Sequence, residues 1–133
     1  MADAIATFRT NRFAVQDRAA FEAWLDARIR PNLDDDLTVD WKDGMVLLGA
    51  YSSPPNHDWN TGEDLDLMAE LATHLAPGSV ALLLVAGHEK LRSVFGLAEA
   101  VDAQGHRTSL DLHDITARAA EELEWTSIGP LEA

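Results

Sequence analysis

Three histidines in the sequence are each followed by a carboxylate, in the dipeptides His57-Asp58, His88-Glu89 and His113-Asp114. A carboxylate that orients an imidazole can turn the ring into a general base near neutral pH. His57-Asp58 is the best placed pair, because it lies in an irregular segment, residues 52–63, that is rich in proline and asparagine. The repetition of the dipeptide weakens the argument for any one pair. A small His/Asp-dependent enzyme is therefore an alternative and not the main prediction.

Other catalytic and metal-binding patterns are incomplete. Ser52 and Ser53 add the residue types of a catalytic triad to the same segment, but the sequence has no Gly-x-Ser-x-Gly motif. It contains no cysteine, which excludes disulfides, zinc–thiolate sites and a cysteine nucleophile. The aspartate run at residues 34–36 lacks the spacing of a calcium loop, and no phosphate-binding glycine loop is present. We predict no cofactor, and a metal-dependent enzyme stays within the same alternative.

Trp59 lies in the middle of this irregular segment, among polar residues and without periodic apolar partners. Two interpretations are open. In the first, the ring folds back as a lid over the core. In the second, it stays exposed as an anchor for a partner, since tryptophan is enriched at the centres of protein interfaces. His57, Asp58 and Trp59 then form one contact patch.

Acidic side chains outnumber basic ones by 23 to 10, which gives a formal charge of −13 and a pI near 4.5. This balance excludes direct binding of nucleic acid through a basic surface. Two acidic clusters stand out: Glu63, Asp64 and Asp66, and Glu121, Glu122 and Glu124. The second cluster ends the last predicted helix, where negative charge opposes the helix macrodipole. Local stability does not account for it, whereas an electropositive partner or a salt-adapted surface does.

These observations predict a small acidic module that binds and neutralises an electropositive partner, either a basic protein or a protein that itself binds nucleic acid. In size, charge and lack of catalytic motifs the chain resembles small toxin-immunity proteins and phage- or plasmid-borne inhibitors of host defence. The resemblance implies an inhibitor but assigns no residue role. A further alternative is a structural or regulatory homodimer whose acidic surface only keeps it soluble. The predicted interaction residues are His57, Asp58, Trp59, Glu63, Asp64, Asp66, Glu121, Glu122 and Glu124.

The elements that must position these residues follow from the apolar patterns in the first half of the chain. Residues 5–15 predict a strand, and Asp17 can cap a helix that runs from Arg18 to Ile29. Apolar residues alternate before Asp43-Gly44, which is a strong signal for a tight turn. Residues 37–51 therefore predict a β-hairpin.

The second half predicts two helices and three strands. Asp64 or Thr61 can cap a helix that ends at Pro77-Gly78, and Asp111 can cap a last helix that runs to about Trp125. The apolar stripes of these helices are Leu67, Met68, Leu71 and Leu75, and Ile115, Ala119 and Leu123. The strands are residues 80–86, 91–102 and 107–112. The first of them shows no alternation, so we expect it to be covered on both faces.

The resulting order, β-α-β-β-α-β-β-β-α, predicts a single two-layer α+β domain over residues 1–133. Short turns favour a mainly antiparallel sheet of about six strands, with three helices packed on it. Three helices are few for both faces of such a sheet, so burial of the second face by a homodimer is a further expectation. The N-terminus lacks the basic start and apolar core of a signal peptide, and no apolar run is long enough to span a membrane. We therefore expect a cytoplasmic protein.

Overall fold

The structure is a computed structural model that describes residues 4–34, 36–89 and 93–123. Within them the strands, numbered β1 to β9, are Ala4–Thr10, Phe13–Ala14, Thr38–Lys42, Met45–Ala50, His57–Asp58, Glu63–Asp64, Val80–Glu89, Ser93–Asp102 and Arg107–Asp111. The α-helices, numbered α1 to α3, are Arg18–Trp24, Leu67–Ala72 and Asp114–Glu122. α1 continues into a π-helical segment, Leu25–Ile29, and a 3₁₀ turn, Arg30–Asn32. None of the helices in this described part is long and apolar enough to cross a membrane.

Seven of these strands pair into one antiparallel sheet. Its spatial order is β3-β4-β1-β7-β8-β9, and β2 continues the line of β1 along β4. The other two strands, β5 and β6, form a separate hairpin. The predicted α+β class, with three helices and a mainly antiparallel sheet of about six strands, is confirmed. The predicted first strand is interrupted at Asn11, because the Asn11 side chain bonds the backbone of Val80 and Leu82 instead.

The predicted hairpin over residues 37–51 is confirmed as β3 and β4. Asp43 and Gly44 have φ angles of 54° and 77°, the left-handed conformation that a two-residue hairpin turn requires. Alternate residues of β4, such as Val46 and Leu48, then point into the core. The turn residues and the alternation of apolar residues both indicate the same hairpin, so the local sequence is sufficient to predict it.

One face of the sheet is covered by α1, its π-helical continuation and α2. Asp17 caps α1 as predicted. Asp66, and not Asp64 or Thr61, caps α2, because its carboxylate accepts a hydrogen bond from the backbone N–H three residues later. α2 ends at Ala72, before the predicted stop. The largest fully buried apolar side chains of this layer and the strands beneath it are Phe13, Phe21, Leu25, Ile29, Leu48, Met68, Leu71 and Leu75.

The opposite face of the sheet is open. Leu83 in β7 is 3% exposed, whereas its neighbour Leu84 is 56% exposed. The prediction that this strand is covered on both faces is therefore wrong. The physical reason is that α1 and α2 pack on the side of Leu83, and no described element packs on the side of Leu84.

α3 follows β9 after a two-residue turn and has no buried residue. Ile115 and Leu123 were predicted to face inward, but both are exposed, so that prediction is wrong. Within the described residues the apolar side of α3 has no element to pack against. Asp111, the predicted cap, ends β9 instead, and His113 occupies the N-cap position without a side-chain hydrogen bond to the helix.

Candidate interaction site at the Trp59 hairpin

The irregular segment after β4 contains a small structured hairpin, residues 56–65, which we call the Trp59 hairpin. Its two short strands pair His57 with Asp64 and Asp58 with Glu63. At the turn, the N–H of Gly62 donates to the carbonyl of Asp58 at 2.8 Å, and Gly62 has a φ of 76°. The segment therefore has a defined backbone, although its composition predicted only a loop.

Asp58 anchors the hairpin from below. Its side chain is 2% exposed and lies 3.1 Å from the Arg28 guanidinium. A hydrogen bond from the N–H of Asn60 lowers the pKa of Asp58, and the Asn32 amide and the Arg28 charge add to this effect, against the desolvation that raises it. Asp58 is thus an ionised structural residue. Because it is buried, it does not belong to the contact patch that the sequence predicted.

Arg28 links the hairpin to two helices. Its Nε and Nη2 donate to the two carboxylate oxygens of Glu70 in α2, at 2.6 and 2.9 Å, while its Nη1 reaches Asp58. The indole N–H of Trp24 also donates to Glu70, at 3.0 Å. The hydrogen bonds from Arg28 and Trp24 lower the pKa of Glu70. Bidentate pairing of this kind is strong and directional, so it fixes the hairpin against α1 and α2.

Asn32 completes the support at the tip. Its amide donates to the carbonyl of Arg28 at 2.7 Å, and its side-chain oxygen accepts the N–H of Trp59 at 3.0 Å. Arg28 itself lies in the π-helical segment, a form of helix that is often found at functional sites. The backbone of Trp59 is therefore held by the end of the first helical segment.

Sequence reasoning missed Arg28, Asn32 and Glu70 as the residues that position this site. One signal was present. Arg28 falls at the same helical spacing as Phe21 and Ile29, which places a guanidinium on an apolar stripe. Arginine is seldom found among buried residues unless it is paired, so such a position predicts a carboxylate partner. Which carboxylate it meets depends on contacts 30 and 42 residues away in the chain.

Trp59 itself points into solvent, with 80% of its surface exposed. Its ring contacts the His57 ring edge-on, with the centroids 4.5 Å apart. The interpretation of Trp59 as a lid over the core is therefore wrong, because the neighbouring residue Asp58, and not the tryptophan, points inward. The interpretation as an anchor for a partner is consistent with this exposure.

One carboxylate, that of Asp64, lies beside His57, whose ring contacts the exposed indole. Glu63 and Asp64 on β6 are exposed, and the Asp64 carboxylate is 3.9 Å from Nδ1 of His57. Asp66 differs from them. It caps α2 and accepts a hydrogen bond from Arg107 at 2.7 Å, which lowers its pKa. Of the three predicted carboxylates of this cluster, Asp64 therefore lies on the His57 side of the hairpin. Glu63 is the cross-strand partner of Asp58 and lies on the side of Arg28. The hydrogen bond to Glu70 raises the pKa of Arg28, and the charges of Glu70, Asp58 and Glu63 add to this effect.

The hairpin does not assemble the catalytic pair that the dipeptide suggested. His57 and Asp58 are successive strand residues, so their side chains point to opposite faces of the hairpin. The Asp58 carboxylate turns to Arg28, and the His57 ring turns to Trp59 and Asp64. Residues 4–34, 36–89 and 93–123 contain no group of three or more histidine, aspartate or glutamate side chains arranged to hold a metal ion.

The second predicted acidic cluster lies elsewhere. Glu121 and Glu122 are exposed on α3, and Glu124 lies outside the described residues. β9 separates this helix from the hairpin region: Arg107 at its start contacts Asp66, and its far end, about 13 Å away at 3.3 Å per residue, leads into α3. The two clusters therefore lie on different elements, one on the Trp59 hairpin and at the start of α2, the other on α3.

Comparisons with known proteins add no relative to this picture: no family model, no curated protein and no solved structure matches the chain. The site therefore has to be interpreted from its own geometry.

Proposed function

We propose that this protein is a binding module that uses the Trp59 hairpin to hold an electropositive protein. The observation that carries the proposal is the 80% exposed tryptophan on a hairpin that is anchored from below. An exposed indole adds nothing to the core, whereas tryptophan is among the residue types most enriched at interface hot spots. A partner that covers the ring would bury this exposed apolar surface.

The anchoring of the hairpin supports the same role. The N–H of Trp59 is bound by Asn32, and the adjacent Asp58 is held by Arg28. A contact loop that already has its bound backbone conformation loses little conformational entropy when a partner arrives. Such preorganisation increases affinity without additional contacts.

The charge around the ring supports a basic partner. Asp64 is exposed on the side of the hairpin where His57 contacts Trp59, Glu63 is exposed on the same strand, and the whole chain carries a formal charge of −13. Rim carboxylates of this kind accelerate the encounter with a cationic surface and make it sensitive to salt. The expected partner is a basic protein or a protein that binds nucleic acid, on which the carboxylates occupy the positions of phosphates.

In its finer form, the proposal is that binding inhibits the partner, as toxin-immunity proteins and inhibitors of host defence do. The support for this form is the combination of charge and an exposed anchor. A cytoplasmic location stays a prediction alongside it.

The test is capture from a lysate of the source organism at 0.05 and 0.5 M salt, using the wild type, W59A and E63K/D64K. We expect the wild type to retain a basic protein at low salt. Once that protein is purified, calorimetry is expected to show about thirtyfold weaker binding for W59A, which corresponds to the roughly 2 kcal/mol of a hot-spot residue. E63K/D64K is expected to weaken binding mainly at low salt.

E121K/E122K is the matched control, because it makes the same charge change on α3. We expect a smaller loss than with E63K/D64K, confined to the association rate at low salt. Equal losses for the two charge reversals would move the contact to α3. A partner that binds W59A as tightly as the wild type would contradict the proposal.

A further inference from the structure

We infer that the open face of the sheet is the interface with a second copy of this chain. The open face is the side of β1, β7, β8 and β9 that carries Arg9, Leu82, Leu84, Ala98, Ala100 and Leu110. It lies on the opposite side of the sheet from α1 and α2. The inference does not depend on the proposed role of the Trp59 hairpin.

The open face is apolar and continuous. Leu84, Ala98 and Leu110 are direct cross-strand neighbours on β7, β8 and β9, and Leu84 and Leu110 are 56% and 59% exposed. Between the two leucine-bearing strands the small side chains of β8 leave a groove of about 230 Å³. A sheet face with leucine ridges on either side of a groove is a surface that another apolar surface can fill.

The distribution of charge favours a second copy over a basic partner. Among the outward positions of β7, β8 and β9 the only carboxylate is Asp102, at the end of β8, where backbone N–H groups of the following turn bind it. In a chain with 23 acidic residues, this face is therefore almost free of negative charge. Depletion of charged side chains is the compositional mark of an interface core. Over the strands of this face, two copies of net charge −13 can meet without a carboxylate in the centre of the contact, and the carboxylates of α3 come close to it only at the helix.

α3 supplies a second uncovered apolar surface. Ile115 and Leu123 lie on one side of the helix and are exposed. A helix of nine residues is marginal in water unless its apolar side packs on something. In a two-fold symmetric dimer, α3 of each copy can pack on the open face of the other copy. A single interface then covers the open face and α3 of both copies.

The area agrees with a dimer. Four strands about 4.8 Å apart and about seven residues long, at 3.3 Å per residue, cover about 440 Å² in projection. α3 adds about 130 Å², since it is about 13 Å long and about 10 Å wide. Two copies thus contribute a projected area of about 1,100 Å². The accessible area is larger, because side chains make the surface uneven, so it approaches the roughly 1,200–2,000 Å² that stable interfaces bury.

The test is the mass of the intact chain by light scattering and sedimentation between 5 and 500 µM, in 0.05 and 0.5 M salt. We expect a species of twice the 14.5 kDa chain mass. Added salt should favour it, because salt screens the repulsion between two acidic copies. L84D/L110D is expected to be monomeric throughout this range with an unchanged circular dichroism spectrum, since both side chains are exposed in the single chain. W59D, which alters an exposed apolar residue away from the open face, is expected to stay dimeric.

Two results overturn the inference. One is a wild type that is monomeric at 500 µM in 0.5 M salt. In that case a lower Tm of L84D/L110D would indicate that other residues of the same chain cover the open face. An unchanged Tm would indicate that a different protein covers it. The other is a dimer that persists in L84D/L110D. Neither result affects the test of the Trp59 hairpin, whose readout is the binding of a basic protein.

Discussion

The Trp59 hairpin and the open face both expose apolar side chains, and they are built in opposite ways. The hairpin presents one large ring beside carboxylates and is fixed from below by Arg28. The open face presents leucine and alanine on β7 and β8 and Leu110 on β9, and β1 adds Arg9 to the same central row. One surface is small and acidic at its rim, while the other is broad and nearly uncharged.

A formal charge of −13 therefore says little about where a partner binds. The exposed Asp64 lies on the Trp59 side of the hairpin, whereas the strands of the open face carry only Asp102, at the end of β8. Salt should therefore act on the two surfaces with opposite sign. It should weaken the binding of a basic protein at the hairpin and strengthen self-association at the open face.

The largest change in stability is expected at Leu83 in β7, compared with its neighbour Leu84. Leu83→Ala should lower the free energy of unfolding by about 2–5 kcal/mol, because it leaves a cavity in the core. Leu84→Ala, on the open face, should cost less than about 1 kcal/mol at low micromolar concentration and more as the concentration rises. Urea unfolding at 5 and 200 µM measures both. Equal losses at the lower concentration would show that Leu84 is packed within its own chain.

The next effect concerns the anchor of the hairpin. Arg28→Gln leaves the buried Asp58 without its cation, so we expect a lower Tm and weaker capture of the basic partner. Arg28→Lys keeps the charge but loses the two parallel hydrogen bonds to Glu70, and its Tm should fall between the other two. Thermal unfolding orders the three proteins. If all three share one Tm and one affinity, the hairpin does not depend on this network.

A smaller effect is expected for the stability of the hairpin tip. Trp59→Ala should change the free energy of unfolding by no more than about 0.5 kcal/mol, because the ring is exposed and meets the edge of the His57 ring. Denaturant unfolding followed by circular dichroism measures this change. A loss of 2 kcal/mol or more would place the ring in the core.

The smallest effect is a pH dependence between pH 7 and 5. Burial against Trp24 and Phe21 lowers the pKa of His74 below its ordinary value of 6.5. The unfolded chain therefore binds a proton near pH 6.5 that the folded chain binds only at lower pH. Stability should fall as the pH drops from about 6.5 toward the folded pKa.

His74→Gln should remove that slope, as urea midpoints at several pH values can show. Asp58 and Glu70 also have lowered pKa values, but they are carboxylates, and the stability they contribute is lost only below about pH 4. A slope that persists in His74→Gln between pH 7 and 5 would assign it to another group.

Local patterns predicted the elements well. The Asp43-Gly44 turn and the cap at Asp17 depend on neighbours within four residues, so the sequence is sufficient for them. The cap of α2 was misassigned, because Asp64, Asp66 and Thr61 all have suitable side chains and only Asp66 accepts the helix N–H. Nearby carboxylates compete for such a role, and the folded backbone selects one of them.

Long-range contacts decided the candidate site. The sequence identified Trp59, His57 and the nearby carboxylates as unusual, but it did not identify Arg28 and Glu70 as their support. Adjacent residues then took opposite roles, with Asp58 buried and Trp59 exposed. Strand alternation forces that division once the register is known, and the register depends on the pairing of β5 with β6.

Local periodicity, turn residues and counting were sufficient for the order of the longer strands and the helices, the antiparallel class of the sheet and the excess of negative charge, but not for the short β5–β6 hairpin. Contacts between distant segments select which face of the sheet the helices cover. The strand of residues 80–86 is apolar at every position, so its pattern fits burial on one face or on two. The packing of α1 and α2 on one side alone settles the matter within the described residues and leaves Leu84 exposed.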